Sequence, residues 1–394
     1  MPAAPLLLFA AALAPPADRG PVVVTPGTAA FHRTLLVADG HNDLPWAVRK
    51  TFGGDLTRFD LAAGVPELHT DLPRLRAGGV GLQFWSVYVP ASTMQSGQAA
   101  AQVFEQIGVV RELVRRYPAD LALCTTAAEV DAARADGKIA GLIGMEGGHA
   151  IENSLTLLRQ FREAGAAYMT LTHSDTLDWA DAATDDPKSG GLNDFGRQVV
   201  AEMNRLGMLV DLSHVSPDTM HDALDVSTAP VIFSHSSARA VADHPRNVPD
   251  DVLRRLPQNG GVVMVNFYSG FVVPAAAERR KDMFQVRRDV ESEFPGDTTR
   301  QEAALLRWRR ENPVEAGTVH DVLDHIDHLV RVAGVDHVGL GADYDGVSTL
   351  PAGLGDVSGY PRITQGLLDR GHSREDVAKI MGGNTLRVLR AVAP

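Results

Sequence analysis

The chain has 394 residues, 44% of them apolar and 22% charged, which is enough for a sizeable core and rules out a disordered or fibrous protein. Acidic residues exceed basic ones, 49 against 37, and the formal charge of −12 argues against a broad phosphate-binding surface, so no nucleic-acid partner is expected. Cys124 is the single cysteine, so there is no intrachain disulfide framework and no thiolate cluster; any metal must sit on His, Asp and Glu.

Residues 1–20 stand apart. Pro5 to Ala14 is an apolar run of signal-peptide length ending in the small-x-small pattern Ala12-Leu13-Ala14, and it predicts export to the periplasm or beyond. No Lys or Arg precedes it and Pro15 follows it, so the competing expectation is a disordered leader on a cytoplasmic protein. Residues 21–33 read as a linker, and 34–394 as a single domain. No stretch reaches the ~18 consecutive apolar residues of a membrane span.

From residue 34 the chain repeats a short apolar run, a polar cluster and a helical stretch. The runs are Leu35 to Ala38, Val80 to Val89, Ile139 to Met145, Ala167 to Leu171, Met208 to Leu212, Val231 to Phe233, Val262 to Phe267 and His337 to Leu340. Near-continuous apolar character predicts strands buried on both faces, and the intervening helices predict parallel connections. Between two of them, Asn193 is an N-cap, Phe195, Val199, Met203 and Leu206 recur at helical spacing, and Gly207 is the stop. Eight such units favour a closed (β/α)8 barrel over an open doubly wound sheet. One segment, 268–317, breaks the rhythm. Its charged runs, Glu278-Arg279-Arg280-Lys281 and Arg307-Trp308-Arg309-Arg310, are interleaved with acidic residues and predict a helical insertion on the barrel rim.

In such barrels the chemistry sits at the carboxyl ends of the strands. Those ends carry His41 and Asp43, Tyr88, Glu146 with His149, His173, Asp211 with His214, His235, Asn266 and Asp343. Each has an ordinary reading: a lone His173, His214 or His235 is usually a hydrogen-bonded strand-end histidine, Glu146 could cap a helix, and Asp343 could bind turn amides. His149 is better placed to support a ligand than to be one. His320, His325 and His328 share an amphipathic helix with Asp321, Asp324 and Asp327, where solvation or helix packing is the expected role.

Convergence carries the functional reading. A barrel brings all its strand ends into one bowl, so His41, Asp43, Glu146, His214 and His235 can meet. Five ligands exceed what one catalytic zinc with an open position needs, and they suit two ions bridged by Glu146. Two ions ~3.5 to 4 Å apart activate water and polarise a carbonyl, so hydrolysis is the implied reaction. Imidazole and carboxylate ligands fit zinc, and also manganese, cobalt or iron.

With these residues in place, the chain resembles the membrane (renal) dipeptidase family, the M19 metallopeptidases, from about residue 32 to residue 388. The resemblance rests on Asp39-Gly40-His41-Asn42-Asp43-Leu44-Pro45-Trp46, Gln83-Phe84-Trp85-Ser86-Val87-Tyr88, Gly144-Met145-Glu146-Gly147, Leu171-Thr172-His173, Asp211-Leu212-Ser213-His214, Phe233-Ser234-His235-Ser236, His244-Pro245-Arg246-Asn247 and Gly341-Ala342-Asp343-Tyr344-Asp345-Gly346. It implies a TIM-like barrel with two zinc ions that cleaves dipeptides by metal-activated hydroxide. His41 and Asp43 match the ligands of one zinc, Glu146 the bridge, and His214 and His235 the ligands of the other. His173 matches the group that steadies the tetrahedral intermediate, Arg246 the grip on the substrate carboxylate, and Asp343 the proton shuttle to the leaving amine. Tyr88 joins the substrate-binding set.

Animal members carry cysteines where this chain has Ala91 and Asp175, so their disulfide is not expected here. No hydrophobic tail follows Leu389, so a lipid anchor is not expected either, and the chain looks more like a soluble bacterial member. A homodimer is an inference from the family. The competing functions are β-lactam or acyl-amino-acid hydrolysis in the same site, and a non-catalytic metal-dependent binding protein.

Overall fold

Parallel pairing is the only kind in the sheet. In the computed structural model, which describes residues 19–393, nine strands form it: β1 (Val37–Asn42), β2 (Val80–Ser86), β3 (Leu121–Leu123), β4 (Ile139–Glu146), β5 (Ala166–Thr170), β6 (Leu209–Asp211), β7 (Ile232–Phe233), β8 (Val262–Val265) and β9 (Val338–Leu340). The run read as an export signal lies outside the described residues; among those described, no helix is long and apolar enough to cross a membrane.

β1 pairs with β2 and β9, and β2 pairs with β4, so eight strands close in the order β1, β2, β4, β5, β6, β7, β8, β9. This is the expected (β/α)8 barrel. β3 is the strand the apolar runs did not predict. It is only three residues long and pairs with Ile139 to Gly141, after which β5 takes over the same edge of β4 from Ile143. So short a run carries too little periodicity to stand out beside the long strands.

Alternation sorts the barrel residues into two cores. Ala38, Leu142, Ile232, Val262 and Met264 belong to the inner cluster with Phe84 and Tyr168. Their neighbours Val37, Ile143, Phe233, Val263 and Val265 pack outward in the cluster shared with the helices. Both faces of the strands are therefore buried, as parallel strands require. The helix Asp194–Arg205 begins as its sequence predicts: Asn193 Oδ1 accepts from the amides of Phe195 and Gly196 at 2.9 and 3.1 Å, a cap worth about 1 kcal/mol. It ends before Gly207, whose φ of 63° suits glycine.

The 268–317 segment folds as helices Ser269–Val272, Pro274–Arg280, Met283–Glu293 and Thr298–Glu311. They are tied to the loops that follow β5 and β7. Arg288 donates to Thr184 O at 2.8 Å, Asn247 Nδ2 donates to Phe271 O at 2.8 Å, and Lys281 pairs with Asp243 at 2.7 Å. The insertion thus lies on the carboxyl-end rim, as expected.

Candidate active site

β1 delivers the first pair of candidate ligands. The strand ends at Asn42, whose Oδ1 accepts the Leu44 amide at 2.9 Å. Asp43 occupies the N-cap position of the helix Leu44–Phe52 but makes no capping bond with its side chain. An aspartate there ordinarily satisfies a helix amide; here Asn42 does so and Asp43 is released toward the bowl. Its Oδ2 lies 3.2 Å from His41 Nε2. The turn into the helix thus brings together two residues that stand two apart in sequence.

Glu146, the last residue of β4, is the centre. His214 Nε2 stands 3.1 Å from its Oε1, His235 Nε2 3.4 Å, His41 Nε2 3.5 Å and His173 Nε2 3.7 Å. Four rings from β1 and the ends of β5, β6 and β7 thus aim one nitrogen each at a single oxygen. Its other oxygen, Oε2, accepts the Ser86 hydroxyl at 3.1 Å. His214 and His235 Nε2 are 2.9 Å apart, and the rings of His41 and His235 lie 3.8 Å centre to centre. His214 reaches this position with φ of 69°, and Asp343 with φ of 68°, a conformation costing ~1–3 kcal/mol in an ordinary residue.

The electrostatics follow from crowding in a buried place. Burial, then Arg246 for His214 and His41 for His235, holds both imidazoles well below their usual pKa. Burial also opposes charge on His41, but Glu146 and Asp43 outweigh it and raise that group well above the usual range. Glu146 is held well below the usual carboxylate range because the surrounding imidazoles, His41 and His173 foremost, overcome its burial. Burial lowers His173 to about 3.

Around this centre stand the other expected residues. Burial lifts Asp343 to about 8 against the pull of His41, with Asp43 and Glu146 adding to the rise. Arg246 is fully enclosed; its Nη2 reaches His235 O at 3.4 Å while Nε and Nη1 have no hydrogen-bond partner. Burial lowers this guanidinium to about 10, still charged at neutral pH. Tyr88 lies against the His173 ring at 4.6 Å and meets Trp46 edge-on at 5.0 Å, and burial raises its hydroxyl pKa. His149 bonds Val89 O at 2.9 Å through Nε2 and its Nδ1 has no hydrogen-bond partner, so it makes no bond to any of the candidate ligands it was expected to support. All nine predicted site residues therefore share one bowl.

Three further polar residues belong to it. Asn266, at the end of β8, donates to Asp343 Oδ2 at 2.8 Å; Ser86 bonds Glu146; Asp211 underlies His235 through Ser234. Asn266 and Asp211 stood at predicted strand ends, but neutral amides and a second carboxylate gave no reason to rank them. Ser86 had no signal beyond lying two residues before Tyr88.

The donor set fits metal ions. Three groups have all their donor atoms within 4.8 Å of one another: His41, Glu146 and His235; Glu146, His173 and His214; His41, Asp43 and Asp343. Ligands ~2.0–2.2 Å from a tetrahedral ion stand roughly 3.4 Å apart, and the spacings around Glu146 bracket that figure. His41 Nε2 has no hydrogen-bond partner despite its close carboxylates.

A parallel (β/α)8 barrel with imidazoles and carboxylates gathered at the carboxyl ends of its strands carries them where barrel enzymes do their chemistry, in a set able to hold metal ions. The sequence matches the family model of membrane dipeptidase, peptidase family M19, over residues 28–394, and the chain belongs to that family. Among solved structures, the probable dipeptidase PvdM from Pseudomonas aeruginosa superposes with a TM-score of 0.78 at 24% identity, covering 93% of this chain and 97% of that one. A dipeptidase AC of family M19 gives 0.75 at 28%, covering 91% and 99%. A metallo peptidase from Rhodobacter sphaeroides, liganded with a phosphinate mimic of the dipeptide L-Ala-D-Ala, gives 0.75 at 27%, covering 91% and 99%.

Proposed function

We propose that this member of the family is a two-zinc dipeptidase. The observation that carries the reading is the convergence of four Nε2 atoms on Glu146 Oε1 with Asp43 beside them. His41, Asp43 and Glu146 would hold one ion, and Glu146, His214 and His235 the other, with manganese, cobalt or iron as alternatives to zinc. Two such ions supply a nucleophile at neutral pH and polarise the scissile carbonyl.

The chain's own residues do the rest. Arg246 binds the free carboxylate of the dipeptide by charge and through donors that have no protein partner, Nε and Nη1. His173 Nδ1 lies 3.0 Å from Ser174 Oγ; with that hydroxyl donating to Nδ1, the imidazole proton sits on Nε2, where it can be given to the carbonyl oxygen as negative charge develops there. Asp343 would be kept ionised by two cations held beside it, which oppose the burial that lifts its pKa; held by Asn266, it then takes the proton released by the attacking water and passes it to the leaving amine. Tyr88 and Trp46 form an aromatic wall beside His173. The phosphinate dipeptide mimic in the Rhodobacter sphaeroides enzyme supports a dipeptide, including one with a D-residue, as substrate.

Removing metal from the purified protein should abolish hydrolysis of L,L and L,D dipeptides, and zinc should restore it. Full activity after verified metal removal would refute the reading. Turnover of β-lactams or acyl amino acids, with dipeptides untouched, would move the activity to another amide in the same site.

A further inference from the structure

Of the ligand histidines, only His235 has a side-chain partner on its far nitrogen. Its Nδ1 lies 2.7 Å from Ser234 Oγ, whereas Nδ1 of His41 and of His214 has no hydrogen-bond partner. Ser234 Oγ in turn lies 2.6 Å from Asp211 Oδ2. All three residues are buried.

The direction of these bonds follows from chemistry. A carboxylate only accepts, so Ser234 Oγ gives its single proton to Asp211. It must then accept from His235, which fixes the imidazole proton on Nδ1 and turns the lone pair of Nε2 toward Glu146. Asp211 cannot rotate out of this role. Its Oδ1 takes the backbone amides of Ser213 and Ser234 at 3.0 and 2.8 Å, and its Oδ2 also receives Thr170 Oγ1 at 2.5 Å. The Ser234 backbone is equally confined: a Cβ on Gly40 in β1, or on Gly341 just past β9, would come within 2.6 or 1.8 Å of Ser234 O.

We infer that Asp211 is a positioning residue that, through Ser234, locks His235 in the tautomer able to bind a metal ion with Nε2. This rests on the two-metal reading for its purpose, but the tautomer itself does not depend on it. Outer partners of this kind are worth about 10–100-fold in metal affinity.

Asp211→Asn separates this role from packing. The two backbone amides demand an acceptor at the Oδ1 position, so the new amide must place its nitrogen against Ser234 Oγ. That hydroxyl then accepts from Asn and donates to His235 Nδ1, driving the imidazole proton onto Nε2. Nitrogen-15 histidine spectra of the full-length protein, with the His235 signal assigned by its loss in His235→Gln, should show Nδ1–H in the wild type and Nε2–H in Asp211→Asn. Zinc competition against a chelator should show one of two sites weakened about 10–100-fold in Asp211→Asn, and less in Ser234→Ala, which removes the lock without imposing the wrong tautomer. A wild type protonated on Nε2 would overturn the inference, as would an Asp211→Asn protein with unchanged tautomer and two unchanged sites. A Ser234→Ala protein that loses as much affinity as Asp211→Asn would also overturn it. A wild type that binds no zinc would instead defeat the two-metal reading, with the tautomer measurement still deciding the relay.

Discussion

The bowl of the barrel and the helix Val319–Ala333 are both rich in histidine and aspartate, and they do opposite things with them. On the helix every group finds a partner outside this set of histidines and aspartates. His320 Nε2 bonds Gly20 O, His325 accepts the Ala238 amide and bonds Val272 O, and His328 pairs with Asp250. Asp321 caps the helix at Thr318, Asp324 pairs with Arg19 and Arg370, and Asp327 with Arg370 and His372. In the bowl the same residue types face one another instead, four rings around one carboxylate oxygen. A helix spreads its side chains around a cylinder, whereas a closed barrel points its strand ends at one axis. Composition alone therefore says little about a metal site; whether donors share a target or have separate ones says much.

The sharpest way to break this contrast is to remove the shared target. Glu146→Ala should lower dipeptide kcat/KM by more than ~1,000-fold and reduce bound metal, while His320→Gln with His328→Gln should keep full metal content. Metal analysis of both proteins checks the pair. His173→Asn keeps the five proposed ligands and should lower kcat by ~100–1,000-fold with little change in metal content, the size expected for a lost oxyanion donor.

The buried helix histidine gives a test in stability rather than activity. Burial lowers His325 to about 4 from an unfolded value of 6.5. Between those pH values the unfolded chain binds the proton and the folded chain does not, so its contribution is complete above pH 6.5 and is lost as pH falls toward 4. The loss should reach roughly 3 kcal/mol. Denaturant unfolding across that range should show His325→Gln, which can still accept and donate, with a correspondingly shallower acid slope.

Arg246→Ala should raise KM for dipeptides by about 10–100-fold, as for a lost charge-assisted hydrogen bond. It should scarcely affect a dipeptide amide that lacks the terminal carboxylate, and equal losses on both would remove the clamp role. The smallest effect belongs to half-buried His320, where replacement by Ala loses one bond to Gly20 O and should change stability by no more than about 1 kcal/mol.

The chain itself determined the barrel and most of its site. Long β-branched runs interrupted by helices have few ways to bury both strand faces, and the polar residue after each run must then lie at the carboxyl end; thus His41, Glu146, His173, His214, His235 and Asp343, each ordinary by itself, were legible as a set. Tertiary structure decided what depended on neighbours distant in sequence. Leu121 to Leu123 became a strand only because the edge of β4 was open to it, and Asp43 became free only because Asn42 took its capping bond. Asn266, Ser86 and Asp211 acquired roles from the groups they touch, not from their own chemistry. Periodicity is a local property that sequence carries directly, whereas the direction of a hydrogen bond is set by a partner that only folding supplies.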